Sequence, residues 1–402
     1  GNVQQAFSGA RIGGRSQRGV DWRVSGKWYE RDSFVDPGGQ ADDGSSQGRV
    51  GFRTDWQTAA CDQVTVQGDW YQGTNGLTHD RPIVGLQTGV EDVAGANILG
   101  RWTRVFSKDS DASLQFYYDR TDRIASGFDQ DTNTIDIDFQ HRFSPWQNHR
   151  LIWGLQFRSI WDRLKNTQTP AFVSVSDQRR TFERTSAFVQ DEIGLIQDEL
   201  YLTLGAKLSH NTYTDFEVQP SIRMLLLPTE ESAMWAAVSR AVRTPTRASE
   251  DIVLLGPELP TPMFPPNTTS TIVGNRHMGS EELIAYEVGY RRQQTANLSW
   301  DVAGFYNVYE DLLATRPVVP PAALPSSEFY NGGSADVYGL EMSSEWRVNC
   351  CWKIRAWYTY LKIKSKYDGS ANQVPEKDEF GTPVNQAMLM SSWNVGRRVE
   401  CD

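Results

Sequence analysis

Hydrophobic and polar residues alternate along much of this chain. Between Val64 and Trp70 every even-numbered residue is apolar or glycine, and every odd-numbered residue is polar. In Ile135–Gln140, isoleucine and phenylalanine alternate with aspartate and glutamine. Because successive side chains of a β-strand point to opposite faces, these segments are predicted to be strands with one apolar and one polar face.

Seventeen segments follow this pattern. Many are longer than the ~5–6 residues of a common globular strand. They match the ~9–11 residues with which a tilted strand crosses a bilayer. The predicted strands are 2–12, 20–31, 48–57, 62–73, 94–106, 111–123, 132–143, 149–164, 178–193, 198–214, 215–228, 231–246, 281–293, 297–313, 330–347, 352–366 and 383–396.

The connections between these strands alternate in length. Short turns, such as Thr58–Asp62 and Ser107–Ser110, follow every second strand, and the intervening connections are mostly long. A β-sandwich or a propeller has no reason to place all its short turns at one end. Outer-membrane barrels have short periplasmic turns and longer extracellular loops. The sequence therefore predicts an all-β fold, an antiparallel transmembrane β-barrel. The long connections are predicted at 32–47, 74–93, 124–131, 165–177, 247–280, 314–329 and 367–382.

Composition supports this class. Hydrophobic residues make up 39% of the 402 residues, aromatic residues 11%, and mean hydropathy is −0.52. Most of the 14 tryptophans fall near the ends of predicted strands, as expected of side chains at a membrane–water interface. The net charge of −10 argues against a nucleic-acid partner, which would favour a basic surface.

Catalytic and metal-binding patterns are missing from the sequence. The five histidines are scattered, and the four cysteines include the adjacent pair Cys350 and Cys351 but no CxxC motif. No nucleophile motif, zinc-protease motif, phosphate-binding loop or dinucleotide-binding loop is present. We therefore expect no enzyme activity, no catalytic residues, no metal site and no cofactor.

Several segments resemble the barrels of TonB-dependent outer-membrane receptors. They include Trp235–Arg247, Tyr286–Arg291, Asp301–Leu312 and Asn331–Met342, and their order and spacing over residues 186–346 strengthen the resemblance. Such barrels have about 22 strands around a plugged lumen. The resemblance implies that residues 1–402 are a barrel domain, a fragment lacking one strand before Gly1 and about four after Asp402. A plug domain and a segment that contacts the TonB energy-coupling complex are expected upstream.

Charged side chains on the polar face are predicted to line the lumen. A charge in contact with lipid costs ~2–4 kcal/mol at the bilayer midplane, which favours the inward orientation. These groups would pair with one another or with the plug. The predicted lumen-facing residues are Arg53, Asp69, Asp119, Arg158, Arg223, Arg240, Glu287, Arg291 and Glu341.

Ligand-binding candidates lie near the extracellular ends of the strands. Arginines at the start of the 247–280 loop offer planar donors suited to a carboxylate or phosphate. Ligand capture and fixation of the plug or a neighbouring loop both remain open for them. A rigid scaffold presents recognition residues on its loops. The candidates are Arg243, Arg247, Met263, Phe264, Arg276 and His277, with Tyr330 beside the 314–329 loop and Tyr71 near the end of its strand.

The resemblance implies a monomeric receptor in the bacterial outer membrane, embedded in lipid, that actively imports a scarce nutrient. An iron–siderophore complex is the expected cargo, and cobalamin, haem and oligosaccharides remain alternatives. Two other classes are open: a passive porin-like channel, and a soluble secreted carbohydrate-binding protein. The alternation of turn lengths and the distribution of tryptophans count against the second.

Overall fold

The computed structural model describes residues 4–33, 35–36, 39–40, 43–81, 85–125, 128–166, 173–258, 269–318, 326–369, 381–395 and 399–401. Within these ranges most residues are in β-strands. The first strands are β1 (Gln4–Arg15), β2 (Val20–Arg31), β3 (Val35–Asp36), β4 (Gly39–Gln40), β5 (Ser45–Ala59), β6 (Asp62–Arg81), β7 (Gly85–Ser107), β8 (Ser110–Ala125), β9 (Phe128–Phe143), β10 (His149–Asn166) and β11 (Val173–Val175).

The remaining elements include one short helix. They are β12 (Arg179–Ile196), β13 (Leu200–Asn211), β14 (Asp215–Thr229), β15 (Ser232–Arg243), α1 (Arg247–Asp251), β16 (Ile252–Glu258), β17 (Thr269–Val273), β18 (Glu281–Thr295), β19 (Leu298–Pro317), β20 (Ser326–Asn349), β21 (Trp352–Tyr367), β22 (Asn385–Val395) and β23 (Val399–Cys401).

The seventeen predicted strands are confirmed. Seventeen of the 23 strands in the described ranges have 11 or more residues, and each overlaps one predicted segment. The six others have between two and seven residues, and the sequence did not predict them. They are β3, β4, β11, β16, β17 and β23.

Two of the predicted long connections are reduced to a few residues in the structure. Strands β6 and β7 remain paired out to Arg81 and Gly85, so most of 74–93 is strand rather than loop. Likewise β8 and β9 pair out to Ala125 and Phe128. These hairpins extend past the alternating segment because backbone pairing does not require an apolar face.

One antiparallel sheet unites the long strands. Each pairs with the next long strand along the chain, from β1–β2 through β10–β12 and β15–β18 to β21–β22. The sheet has 21 strands in the described residues, and β3 and β4 form a separate pair. No pairing within those residues joins β1 to β22 or β23, so the sheet is open along this line.

The two faces of the sheet differ in polarity. One face carries exposed apolar side chains with no covering layer, for example Leu155, Val189 and Leu204, which are 52%, 48% and 42% exposed. On the other face, the row from β5 to β10 is polar except for Leu99 of β7, and it reads Arg53, Gln67, Leu99, Tyr117, Asp136 and Arg158. An apolar exterior with a polar interior is the pattern of a membrane barrel.

Short turns occupy one end of the sheet, as predicted. Such turns follow every second long strand, for example at residues 60–61, 108–109, 230–231 and 350–351. At the opposite end the hairpins β6–β7 and β8–β9 also have short connections, and so does the pair β13 and β14. There the buried Asn211 side chain accepts hydrogen bonds from the backbone nitrogens of Tyr213 (2.9 Å) and Thr214 (3.1 Å). This local bonding closes the turn without a long loop.

At the opposite end, short strands add further pairings to the sheet and form a rim. Strand β11 pairs with β16, β16 with β17, and β17 runs parallel to the start of β20. Helix α1 begins after Thr246, whose hydroxyl accepts a hydrogen bond from the Ser249 nitrogen (3.2 Å). No helix in the described ranges is long and apolar enough to cross a membrane.

Candidate functional site

The polar face of the sheet forms a continuous charged wall. Cross-strand register puts eight of the nine predicted lumen residues on this face: Arg53, Asp69, Asp119, Arg158, Arg223, Glu287, Arg291 and Glu341. Several are already paired within the wall. Arg158 meets Asp136 at 2.8 Å, and Arg291 meets Asp301 at 2.7 Å. The wall therefore mixes both signs of charge and satisfies much of its own polarity.

Arg240 does not share this face, and its predicted orientation was wrong. It lies directly opposite Ile284, on the face that carries the exposed Val238 and Tyr286. Its guanidinium pairs with the Glu282 carboxylate at 2.5 Å. Arg240 and Arg243 are three residues apart on one strand, so only one of them can point to the polar face, and that one is Arg243.

A concavity of about 620 Å³ opens on the polar face beside β1, β2 and β5. Its charged lining is four basic side chains and one acidic side chain, Asp69. Arg49 pairs with Asp69 at 2.7 Å, which leaves the basic charge in excess. The basic residues are Arg11, Arg23, Lys27 and Arg49. Such a surface favours an anionic neighbour.

A second group of charges lies at the long-loop end, around α1. We name it the mouth cluster: Arg180, Arg247 and Arg276 with Asp162, Asp177, Glu250 and Asp251. The Asp251 side chain has no exposed surface, and Glu250 is 1% exposed. Arg180 reaches both acidic groups, bonding Asp251 at 2.6 Å and contacting Glu250.

The mouth cluster joins segments that are far apart in sequence. Arg276, just before β18, bonds Asp251 of α1 and also Asp177 beside β12, the latter at 2.5 Å. Arg247 contacts Asp162 of β10. The two ends of the loop between β15 and β18 are thus fastened to β10, to β12 and to the segment just before β12. The local geometry fits a role in holding this loop.

The pKa values of the two carboxyl groups shift in opposite directions. For Glu250, burial raises the pKa above its ordinary value, against the opposing attraction of Arg180. For Asp251, burial acts in the same sense, but hydrogen bonds from Arg180, Arg276 and Ser176 outweigh it and hold the pKa below the ordinary value. Asp251 is accordingly the ionised anchor of the cluster.

The ligand candidates divide into buried and exposed groups. Arg247 is 12% exposed and, like Arg276, is engaged in the mouth cluster. Tyr330 is buried, donates to Asp368 at 2.5 Å and lies under the Arg316 guanidinium. Arg243 is 70% exposed although it pairs with Glu281 at 3.0 Å, and His277 is exposed.

The remaining candidates are elsewhere. Tyr71 lies on the polar face, with its ring over Gly95, distant in sequence from the mouth cluster. Met263 and Phe264 fall outside the described residues. Across the part of the chain that the structure describes, no group of three or more His, Cys, Asp and Glu side chains is placed to hold a metal ion.

Sequence reasoning missed the acidic half of the mouth cluster. Residues Thr246 to Asp251 read Thr-Arg-Ala-Ser-Glu-Asp, which carries a helix N-cap residue and acidic groups in the first turn. That signal could have identified α1 and drawn attention to Glu250 and Asp251. The partners Asp162, Asp177 and Arg180 precede α1 by about 70 to 90 positions, and no local pattern marks them.

Comparison with known proteins bears on the whole chain. Residues 2–398 match the family model described as TonB dependent receptor-like, beta-barrel. The chain belongs to the TonB-dependent receptor barrel family. Among curated proteins, no sequence matches this receptor barrel.

Solved structures share the fold of the receptor barrel at low sequence identity. The siderophore receptor PirA of Pseudomonas aeruginosa is 14% identical, with a TM-score of 0.74 over 99% of this chain and 68% of that one. The FrpB iron transporter of Neisseria meningitidis is 11% identical, with a TM-score of 0.73 over 98% and 65%. The ferric enterobactin receptor of Pseudomonas aeruginosa, in complex with enterobactin, is 15% identical, with a TM-score of 0.75 over 98% and 65%.

These structures are longer than the receptor barrel, which spans about two thirds of their length. Their similarity establishes the fold of the part in common. A polar wall facing inward and an apolar wall facing lipid follow from that fold.

Proposed function

We propose that the receptor barrel is the membrane part of an outer-membrane receptor that actively imports a ferric siderophore. The observation that carries the proposal is the family match over residues 2–398. The similar structures include siderophore receptors and an iron transporter, which supports iron uptake over the other cargoes of the family.

We propose that cargo first meets the long-loop end of the barrel. Arg243 and His277 present exposed, polar side chains there. An exposed guanidinium suits an anionic iron complex because it donates several charge-assisted hydrogen bonds. Arg247 and Arg276 would act indirectly by fixing the loop that carries His277. For Met263 and Phe264 the contact with ligand stays a prediction from the sequence.

The polar wall is proposed to face a plug domain encoded upstream. Its mixed charges and its basic concavity offer partners for carboxylates of such a domain. Energy would reach the plug through a further upstream segment that contacts TonB. The receptor is proposed to be a monomer embedded in outer-membrane lipid, without a catalytic role.

Growth on defined iron sources tests the cargo. Cells lacking their other iron receptors would express the full-length gene under iron restriction, with ferric siderophores of different chemistry or haem as the only iron source. The proposal expects growth on at least one ferric siderophore and none on haem. Growth on haem alone, or rescue of cobalamin auxotrophy without any siderophore response, contradicts it.

A matched pair of variants tests the mouth. Arg243→Ala should weaken binding of the ferric siderophore about tenfold, the effect of losing ~1.4 kcal/mol. Arg15→Ala, at the short-turn end and 69% exposed, should leave the affinity unchanged. Equal affinity of wild type and Arg243→Ala would remove Arg243 from the proposed contacts.

A further inference from the structure

The turn between β20 and β21 consists of two adjacent cysteines, Cys350 and Cys351. Both are exposed, and their sulfur atoms lie 3.4 Å apart. The turn is at the short-turn end of the sheet, together with the exposed Cys61 in the turn between β5 and β6. The two sulfurs are thus close, accessible and not yet bonded.

Neighbouring hydrogen bonds fix the backbone that carries this pair. The Asn349 side chain accepts from the Cys351 nitrogen at 2.9 Å, and the Cys351 carbonyl accepts from the Asn394 nitrogen at 2.8 Å. These bonds hold the turn in a conformation in which the two sulfur atoms lie 3.4 Å apart. Proximity of this kind favours reaction between them over reaction with a distant thiol.

We propose that Cys350 and Cys351 are a reversible thiol–disulfide site that is closed by an external disulfide. The proposal rests on the outer-membrane location proposed above, because that location puts the short turns in the oxidising periplasm. The oxidant is a protein disulfide of the class that donates disulfides in that compartment.

Closure proceeds in two exchange steps. One thiolate of the pair attacks the donor disulfide, forms a mixed disulfide and releases one donor thiolate. The second cysteine then attacks the sulfur of the first, which forms the Cys350–Cys351 bond and releases the other donor thiolate. Two electrons pass from the pair to the donor, and the two protons lost by the cysteines are taken up by the donor thiolates.

Reversibility follows from the spacing of adjacent residues. Consecutive Cα atoms are ~3.8 Å apart across a trans peptide. Most disulfides join Cα atoms separated by ~4.4–6.8 Å. A bond between neighbours is therefore strained, and a strained, exposed disulfide is reduced more readily than a buried structural one. The pair is suited to opening and closing.

Differential alkylation of the full-length protein tests the state in cells. Membranes would be quenched in acid, treated with light iodoacetamide, reduced and treated with heavy iodoacetamide before peptide mass spectrometry. The proposal expects heavy label on Cys350 and Cys351, and light label on Cys61, which has no neighbouring cysteine in the sequence. Light label on both members of the pair, or a link from either to Cys61 or Cys401, overturns it.

A second arm uses purified, reduced protein and oxidised glutathione. In the wild type, the peptide that contains Cys350 and Cys351 should have lost the mass of two hydrogen atoms and should carry no glutathione. In Cys351→Ser, Cys350 should keep a glutathione adduct. Stable adducts on both cysteines of the wild type would overturn the proposal. This arm is independent of location, and fractionation of the same cells reports the outer-membrane assignment separately.

Discussion

Arg276 donates two hydrogen bonds, of 2.9 and 2.6 Å, to one oxygen of the buried Asp251 carboxylate. The two residues stand at opposite ends of the loop between β15 and β18. Arg180 of β12 bonds the other oxygen at 2.6 Å. One carboxylate therefore connects α1 to the segment before β18 and to strand β12 of the sheet. The longest predicted loop is therefore anchored at its base.

Asp251→Asn should loosen this loop. The change leaves Arg180 and Arg276 without their shared charge, and breaking a buried ion pair costs ~3–5 kcal/mol. We expect a value near the lower limit, because the Arg276 side chain is 47% exposed. Faster protease cleavage within 244–280, with the rest of the barrel intact, is the expected result. Unchanged cleavage in this segment would contradict the anchoring role.

Acid should loosen the same loop in the wild type. The pKa of Asp251 is lowered from 3.8 in the folded protein, so its contribution to stability is present above pH 3.8 and is lost as the pH falls below that value. Amide hydrogen exchange in α1, corrected for intrinsic rates, should show that protection declines as the pH falls below 3.8. Asp251→Asn should lack this decline.

Glu250→Gln provides the matched control for that pH series. Burial raises the pKa of Glu250 above 4.5, so its contribution to stability has the opposite sign: it is present below pH 4.5 and is lost as the pH rises through the folded value. The glutamine variant should keep the acid-induced decline of the wild type. If only Glu250→Gln lost the decline, the anchor would be Glu250 and not Asp251.

Gly289→Ala should destabilise the barrel through Trp235. Gly289 lies opposite Trp235 in the register between β15 and β18, and an added Cβ would overlap the indole ring. Overpacking of this kind costs ~1–3 kcal/mol. Gly100→Ala is the control, because an added Cβ there meets no atom within 4 Å. Equal melting temperatures of the two variants in detergent would contradict the predicted clash.

Adjacent residues on β12 test the assignment of the two faces. Val189 lies on the apolar face, and Gln190 lies on the polar face. Val189→Arg should cost ~2–4 kcal/mol in a bilayer, the penalty for arginine in contact with lipid near the midplane. Gln190→Arg should leave folding yield in lipid vesicles nearly unchanged. The reverse order would show that the faces are exchanged.

The long strands were predictable because a single apolar face imposes strict alternation over ten or more residues. Alternation ends where the sheet leaves the bilayer, so the extended hairpins β6–β7 and β8–β9 were read as loops. Arg240 was predicted to face the lumen because it is a charged residue on a strand. In the structure it lies on the apolar face near the mouth and pairs with Glu282.

The mouth cluster was only half predictable. Arg247 and Arg276 were recognised as prominent charges on a long loop, but their distant partners Asp162 and Asp177 lie 85 and 99 residues away in sequence. Pairing at that range depends on how strands are arranged around the rim, which no local pattern encodes. Ligand contact was therefore predicted for side chains that the fold uses to fasten its own loop.

Energised uptake is the most direct test of the central claim. Cells expressing the full-length gene would receive a radiolabelled ferric siderophore with and without an uncoupler of the proton gradient. Active import by a TonB-dependent receptor predicts accumulation that the uncoupler abolishes, with binding at the cell surface retained. Accumulation that persists in the presence of the uncoupler would contradict this account and favour a passive channel.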